Sequence, residues 1–262
     1  MAVLDRFRLD GKVALVTAGA GPLFGSSISE ALAEAGATVI TASRSEQRNA
    51  EFAEGLRKRG LAAHGRQVDL AEASSIAELG RSVIAEFGAV DVLVNSAVAR
   101  PAGLAPLDEI TETALAESAA ADMVGLILMC KAFCPAMAER GRGSVINISS
   151  IYGSVGNDPS LYVDTDMRPP ISYAFVKGGM TNLTRALAAF YGKRGVRVNS
   201  IAPGGFSPSV HARFAQRYGE RCPLGRMMTG DDIQGAVVYL ASDASSYVTG
   251  ANLAVDGGWT AI

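Results

Sequence analysis

Tyr173 and Lys177 stand four residues apart in the run Tyr-Ala-Phe-Val-Lys, so on a helix they share one face. A phenol is a poor base at neutral pH, with a reference pKa of about 10. An ammonium beside it favours the phenolate. Lowering that pKa by ~3 units takes about 4 kcal/mol of differential stabilisation, within reach of a lysine and a second cation in a partly dry site. Such a tyrosine exchanges a proton with a substrate hydroxyl or carbonyl. Ser149 and Ser150 end the preceding apolar run, where a serine hydroxyl can orient the same oxygen. Tyr152 and Tyr162 lie nearby, but neither has a lysine four residues on.

Paired with a hydride carrier, such a proton exchange becomes alcohol–carbonyl redox chemistry, and the N-terminal segment offers a place for that carrier. A short apolar run ends at Thr17 and passes into Ala18-Gly19-Ala20-Gly21-Pro22-Leu23-Phe24-Gly25, then into a helix over 26–35. Glycines let the backbone approach a pyrophosphate, and a helix N-terminus offers it free N–H groups. A strand before and a helix after make this a dinucleotide loop instead of an ordinary turn. The second strand ends in Ala42-Ser43-Arg44, with no carboxylate before Glu46 to bond a ribose. Arg44 can pair with a 2′-phosphate and Ser43 can donate to it, which favours NADP and leaves NAD possible. Asp69 can accept from the adenine amino group, and Asn95-Ser96-Ala97 can let the adenosine ribose lie against the backbone.

The elements that must position these groups alternate. Strands are expected over 13–17, 38–42, 62–68, 90–95, 144–149, 197–201 and 252–255. Helices are expected over 26–35, 46–59, 72–87, 108–118, 119–140, 173–194 and 231–241. That order predicts a single-domain α/β fold: a doubly wound, Rossmann-type parallel sheet of about seven strands, with helices on both faces. Segments 155–170 and 204–226 break the alternation and follow strand ends, where open α/β sheets bind ligands, so they are expected to wall the substrate.

Composition closes other routes. Apolar residues at 48% and charged residues at 19% exclude disorder. A net charge of -2 and scattered basic residues argue against nucleic acid as a partner. Two histidines and no His-Glu-x-x-His run give no metal centre. Three cysteines without a Cys-x-x-Cys pair suit a reducing compartment. The first residues lack an apolar signal core, and the longest apolar run, 124–130, is too short for a bilayer. A cytoplasmic protein acting on a small molecule is expected, with no membrane partner.

In sequence order, these motifs resemble the short-chain dehydrogenases/reductases over nearly the whole chain. The shared landmarks are the Gly loop, Asp69, Asp91-Val92-Leu93-Val94-Asn95, Asn147-Ile148-Ser149-Ser150 and Tyr173/Lys177. Further ones are Asn199-Ser200-Ile201-Ala202-Pro203-Gly204, Pro223-Leu224-Gly225-Arg226 and Val255-Asp256-Gly257-Gly258. The resemblance implies Ser150, Tyr173 and Lys177 as the catalytic trio. It implies Thr17, Gly19, Gly21 and Gly25 in the nucleotide loop, Tyr173 and Lys177 also against the cofactor, and Pro203-Gly204 beside the nicotinamide. It also implies a homo-oligomer, dimer or tetramer.

The chain departs from the family pattern in four places. Ala18 replaces the first loop glycine, and Gly25 comes one residue late, so Phe24 needs a place. Val98 replaces the last glycine of Asn-Asn-Ala-Gly. Asp122 falls where the family has an asparagine holding a relay water, and its charge would keep Lys177 protonated. Ser150 lies farther from Tyr173 than usual, and this insertion resembles branches tied to sugar or polysaccharide metabolism.

The insertion brings Asp158, Asp164, Asp166 and Arg168, and the later segment brings His211, Arg213, Arg217 and Arg221. That mixture suggests a sugar, polyol or sugar acid, although most loop charges are solvated and His211 suits a packing role. The alternatives are a 3-oxoacyl-thioester or ketone reductase, with a long apolar groove, and a nucleotide-binding scaffold that has lost turnover.

Overall fold

The computed structural model describes residues 2–99, 106–169, 171–206 and 208–262. Seven parallel strands lie in the order β3-β2-β1-β4-β5-β6-β7. They are β1 Val13–Thr17, β2 Thr38–Ser43, β3 Ala63–Gln67, β4 Val92–Asn95, β5 Gly143–Ile148, β6 Val196–Pro203 and β7 Asn252–Val255. The order reverses between β1 and β4, which opens a crevice at their carboxyl ends. Helices α1 Phe24–Glu34, α2 Glu46–Lys58, α3 Ala73–Phe87, α4 Glu112–Ser118, α5 Leu126–Glu139, α6 Ile171–Tyr191, α7 Ala212–Arg221 and α8 Gln234–Ala241 complete the fold.

Strands covered on both faces read as continuous apolar runs, and β4 is buried throughout. One face packs Ile28 and Leu32 of α1, Ala53 and Leu56 of α2, and Val237 and Leu240 of α8 against the sheet. The other packs Val83 of α3, Phe133 and Met137 of α5, and Met180 of α6. A third cluster stands apart at the carboxyl edge, joining Leu161 and Tyr162 to Phe214 and Tyr218 of α7 and to Trp259.

The structure corrects three expectations. The segment 204–226 is not wholly irregular, because α7 occupies 212–221. Residues 119–140 do not form one α-helix: a π-helical turn, Ala119–Gly125, separates α4 from α5. There Gly125 passes so close to the Leu70 carbonyl that a Cβ would collide with it. Third, the continuous helical stretch Glu112–Glu139, 28 residues with mean hydropathy 1.5, is long and apolar enough to cross a membrane by composition. Its Met129, Phe133 and Met137 are buried against the sheet, while Leu115, Val124 and Ile127 are exposed.

Candidate active site

Two cavities meet at the carboxyl ends of the central strands. The larger, about 970 Å³, is lined by Ala18 and Gly21 to Leu23 with Gly25, by Ser43, Arg44, Ser45 and Arg48, and by Val68, Asp69, Ser96, Ala97 and Asp122. The smaller, about 280 Å³, holds Ser150, Tyr173, Lys177, Pro203 and Gly204. Leu23, Ser96 and Val98 border both.

The loop after β1 is tight because Ala18 takes φ +53°, a region that suits glycine. Each such residue costs roughly 1–2 kcal/mol. The Ala18 carbonyl accepts the Gly21 N–H (2.8 Å) and lies where a Cβ on Gly25 would have to go. Gly25 therefore has to lack a side chain. Phe24 finds its place there: it packs on Phe206, 5.1 Å between ring centres, and walls the smaller cavity. Helix α1 starts without a side-chain cap, unlike α2, where Ser45 accepts the Arg48 N–H. Uncapped N–H groups beside a Gly-lined cleft fit a pyrophosphate. The donor set around the cleft therefore fits a dinucleotide.

Three residues assigned to the cofactor lie beneath the cleft and not on its lining. The Thr17 hydroxyl accepts the N–H groups of Ser96 (3.0 Å) and Ala97 (3.2 Å), tying β1 to the β4 end. Gly19 makes room for Ser29, whose hydroxyl donates to its carbonyl. Asn95 is buried and donates to Asn147 Oδ1 at 2.9 Å, and Asn147 in turn donates to Thr184. Ser43 does line the cleft, but its hydroxyl donates to Asn49. Asp69 spends one carboxylate oxygen on the Ala71 N–H. Sequence reasoning missed Arg48, which lies in the first turn of α2 and lines the cleft beside Arg44. Among the described residues, neither Arg44 nor Arg48 meets a carboxylate, whereas Arg57, Arg59, Arg66 and Arg81 all do.

In the smaller cavity the two serines separate. Ser149 bonds the Lys177 carbonyl and Thr181, so its hydroxyl is spent on α6. Among the described residues, Ser150 accepts the Tyr152 N–H (3.2 Å) and donates to none, leaving its proton for a ligand oxygen. The Lys177 Nζ lies 5.5 Å from the centre of the Tyr173 ring and donates to the Ile148 carbonyl at 2.7 Å. Burial lowers the pKa of Lys177 to about 8, and the negative charge of Asp122 opposes that fall. Asp122 sits in the π turn, accepts the Ala99 N–H (2.7 Å) and the Ser118 hydroxyl (3.1 Å), and has its own pKa raised by burial. Burial also pushes up Tyr152 and Tyr162, so neither is a base at neutral pH.

The walls of this cavity come from the two irregular segments. Pro170 and Ser207 of those segments lie outside the described residues. Their charges mostly meet each other. Arg221 pairs with Asp158, and Arg213 and Arg217 reach Asp164 at 3.5 and 3.7 Å. His211 caps α7 by accepting the Arg213 N–H. These acids and bases, expected to meet substrate hydroxyls, clamp the wall instead. The faces they leave inward are Tyr152, Tyr162, Phe214 and Tyr218.

Residues 23–260 match the family model described as enoyl-(acyl carrier protein) reductase. The chain is 37% identical over 260 residues to the cis-4-hydroxycyclohexanecarboxylate dehydrogenase of Sinomonas cyclohexanicum, covering 96% of this chain and 97% of that one. The chain is a short-chain dehydrogenase/reductase. It is also 38% identical to the D-threitol dehydrogenase of Mycolicibacterium smegmatis, covering 97% of this chain and 95% of that one. Among solved structures, a gluconate 5-dehydrogenase of Burkholderia cenocepacia in complex with NADP and tartrate superposes with TM-score 0.90 and 33% identity, each chain fully covered. As a member of this family the chain is an oxidoreductase acting on CH–OH groups with a nicotinamide cofactor.

Proposed function

We propose that the protein interconverts a compact secondary alcohol, a sugar, polyol or hydroxy acid, and its ketone, with NADP preferred. One observation carries this reading: Ser150, Tyr173 and Lys177 converge on a cavity that opens into a Gly-lined cleft. The bound nicotinamide supplies or takes a hydride. Gly21, Gly25 and the start of α1 would hold its pyrophosphate, and Arg44 and Arg48 the 2′-phosphate. Asp69, Ser96 and Ala97 would line the adenosine, with Pro203 and Gly204 at the reactive end.

The chain's own residues handle the proton. Ser150 Oγ donates to the substrate oxygen and fixes it. Tyr173 takes the hydroxyl proton in oxidation and returns it in reduction. The Lys177 ammonium stabilises the phenolate. Asp122 keeps Lys177 charged, which is the part left to it where the family has asparagine.

Relatives act on threitol and on a hydroxycyclohexanecarboxylate, and another holds tartrate, which supports a small polar substrate. The 280 Å³ volume favours that class over a long acyl thioester. Segments 155–170 and 204–226 serve as the substrate walls. Exposed Met123, Val124 and Ile127 beside the start of α5, with Phe175 and Phe190 on α6, support a homo-oligomer. Three buried free thiols, Cys130, Cys134 and Cys222, support a cytoplasmic location.

Tyr173→Phe tests the reading. Turnover should fall by a factor of ~10² or more, while cofactor binding stays nearly intact. Persistent hydride transfer in that variant would overturn it.

A further inference from the structure

We infer that the substrate is a compact hydroxy acid whose carboxylate is held by Arg168, so that the cavity selects an organic anion over a neutral polyol. This rests on the reading of the smaller cavity as the alcohol site. Among its described lining residues the charged side chains are Arg168 and Lys177, and no aspartate or glutamate joins them. The nearby acids are spent elsewhere: Asp158 on Arg221 and Ser160, Asp164 on Arg213 and Arg217. Lys177 is committed to the Ile148 carbonyl beside Tyr173. Among the described lining residues, Arg168 is the cation left for a ligand.

Arg168 also differs from its neighbours in the same wall. Arg213, Arg217 and Arg221 each meet an aspartate. Arg168 meets no carboxylate among the described residues. Its Nη1 donates to the carbonyls of Thr165 (3.4 Å) and Met167 (3.2 Å), which hold one edge of the guanidinium beside the cavity. The rest of the planar fork remains for a carboxylate, which it matches with two parallel bonds.

The remaining surface argues against a neutral polyol. Phe24, Phe206, Val210, Phe214 and Met227 offer carbon to the ligand. Two of the phenols have spent an acceptor site and keep only their own proton to offer: Tyr162 accepts from Asn157, and Tyr218 accepts the Gly205 N–H at 2.7 Å. Hydroxyls buried there without partners cost free energy. A hydroxy acid instead puts its alcohol at Ser150 and Tyr173, its carbon skeleton against the rings and its carboxylate at Arg168.

The test uses matched probes with NADP and NAD: cis-4-hydroxycyclohexanecarboxylate against its carboxamide, and gluconate against glucitol, with cyclohexanol and butan-2-ol as simple secondary alcohols. In each matched pair that is turned over, the acid should be preferred in kcat/KM by about tenfold or more. Arg168→Gln should collapse that preference, mainly through KM, and Arg168→Lys should retain part of it. Cofactor affinity should not move in either variant, since Arg168 lies off the cleft lining. Equal rates for acid and carboxamide, or a preference that survives Arg168→Gln, would overturn the inference. So would turnover confined to the simple alcohols, and that outcome leaves the oxidoreductase reading standing. No oxidation of any secondary alcohol would remove both.

Discussion

The two cavities are built on opposite principles. The cofactor cleft is made largely of strand ends, small residues and backbone N–H groups, carried directly by the sheet. The substrate cavity has a floor from the same sheet, but its walls are side chains of 151–168 and 206–227, backed by Trp259 in the cluster behind them. Those walls share an aromatic cluster and ion pairs of their own. In the cleft the backbone holds what all dinucleotides share, and the side chains of Arg44 and Arg48 stand only at its end. A wall made of side chains decides which alcohol enters.

This contrast predicts separable losses. The largest belongs to the cleft. Arg44→Ala with Arg48→Ala should weaken NADP binding by tenfold or more, at roughly 1.5–3 kcal/mol per charge-assisted hydrogen bond, and barely change NAD binding. Titration of both cofactors measures this, and equal losses would contradict the assignment. A smaller effect belongs to Asp122, which lines the cleft and acts through its charge on Lys177 in the other cavity. Asp122→Asn removes the charge that raises the pKa of Lys177, so that pKa should fall further below about 8. Above its pKa the ammonium beside Tyr173 is lost, so the alkaline limb of the kcat/KM profile should move to lower pH. An unmoved or upward-shifted limb would break the link.

The smallest effect belongs to the wall. Asp164 is exposed and pairs at 3.5–3.7 Å with Arg213 and Arg217. Exposed pairs contribute about 0.2–1 kcal/mol, so Asp164→Asn should lower stability by no more than that. It should raise substrate KM a few-fold and leave cofactor affinity alone, as thermal melts and steady-state rates would register. A drop in cofactor affinity would mean that the two regions are not separate.

The same contrast explains what could be read from residues alone. The cleft follows from local pattern: strand, glycines, helix, then Arg44 at the next strand end. Each lies within a few positions of the next, and β1, β2 and α1 form close to where the pattern puts them. The trio at Ser150, Tyr173 and Lys177 needs one strand and one helix, and its spacing carries it. Its members do share one cavity. The wall depends on pairs far apart in the chain, such as Asp158 with Arg221, 63 positions away. No local rule says that these charges face each other and turn the aromatic faces inward. Helix α7 was legible in principle, since Phe214 and Tyr218 repeat at a spacing of four opposite an arginine stripe. The π turn at Asp122 leaves no periodic trace.

Ala18 illustrates a different kind of information. Its φ of +53° belongs to the place where the family keeps glycine, and the chain meets that geometry with a methyl group attached. The strain is set by neighbours that need the turn, not by the residue that makes it.

The aromatic and ionic cluster joining Tyr162, Phe214, Tyr218 and Trp259 touches neither of the two main cores through buried residues. The patch that shapes the alcohol pocket is thus packed largely apart from the layers that carry the dinucleotide loop.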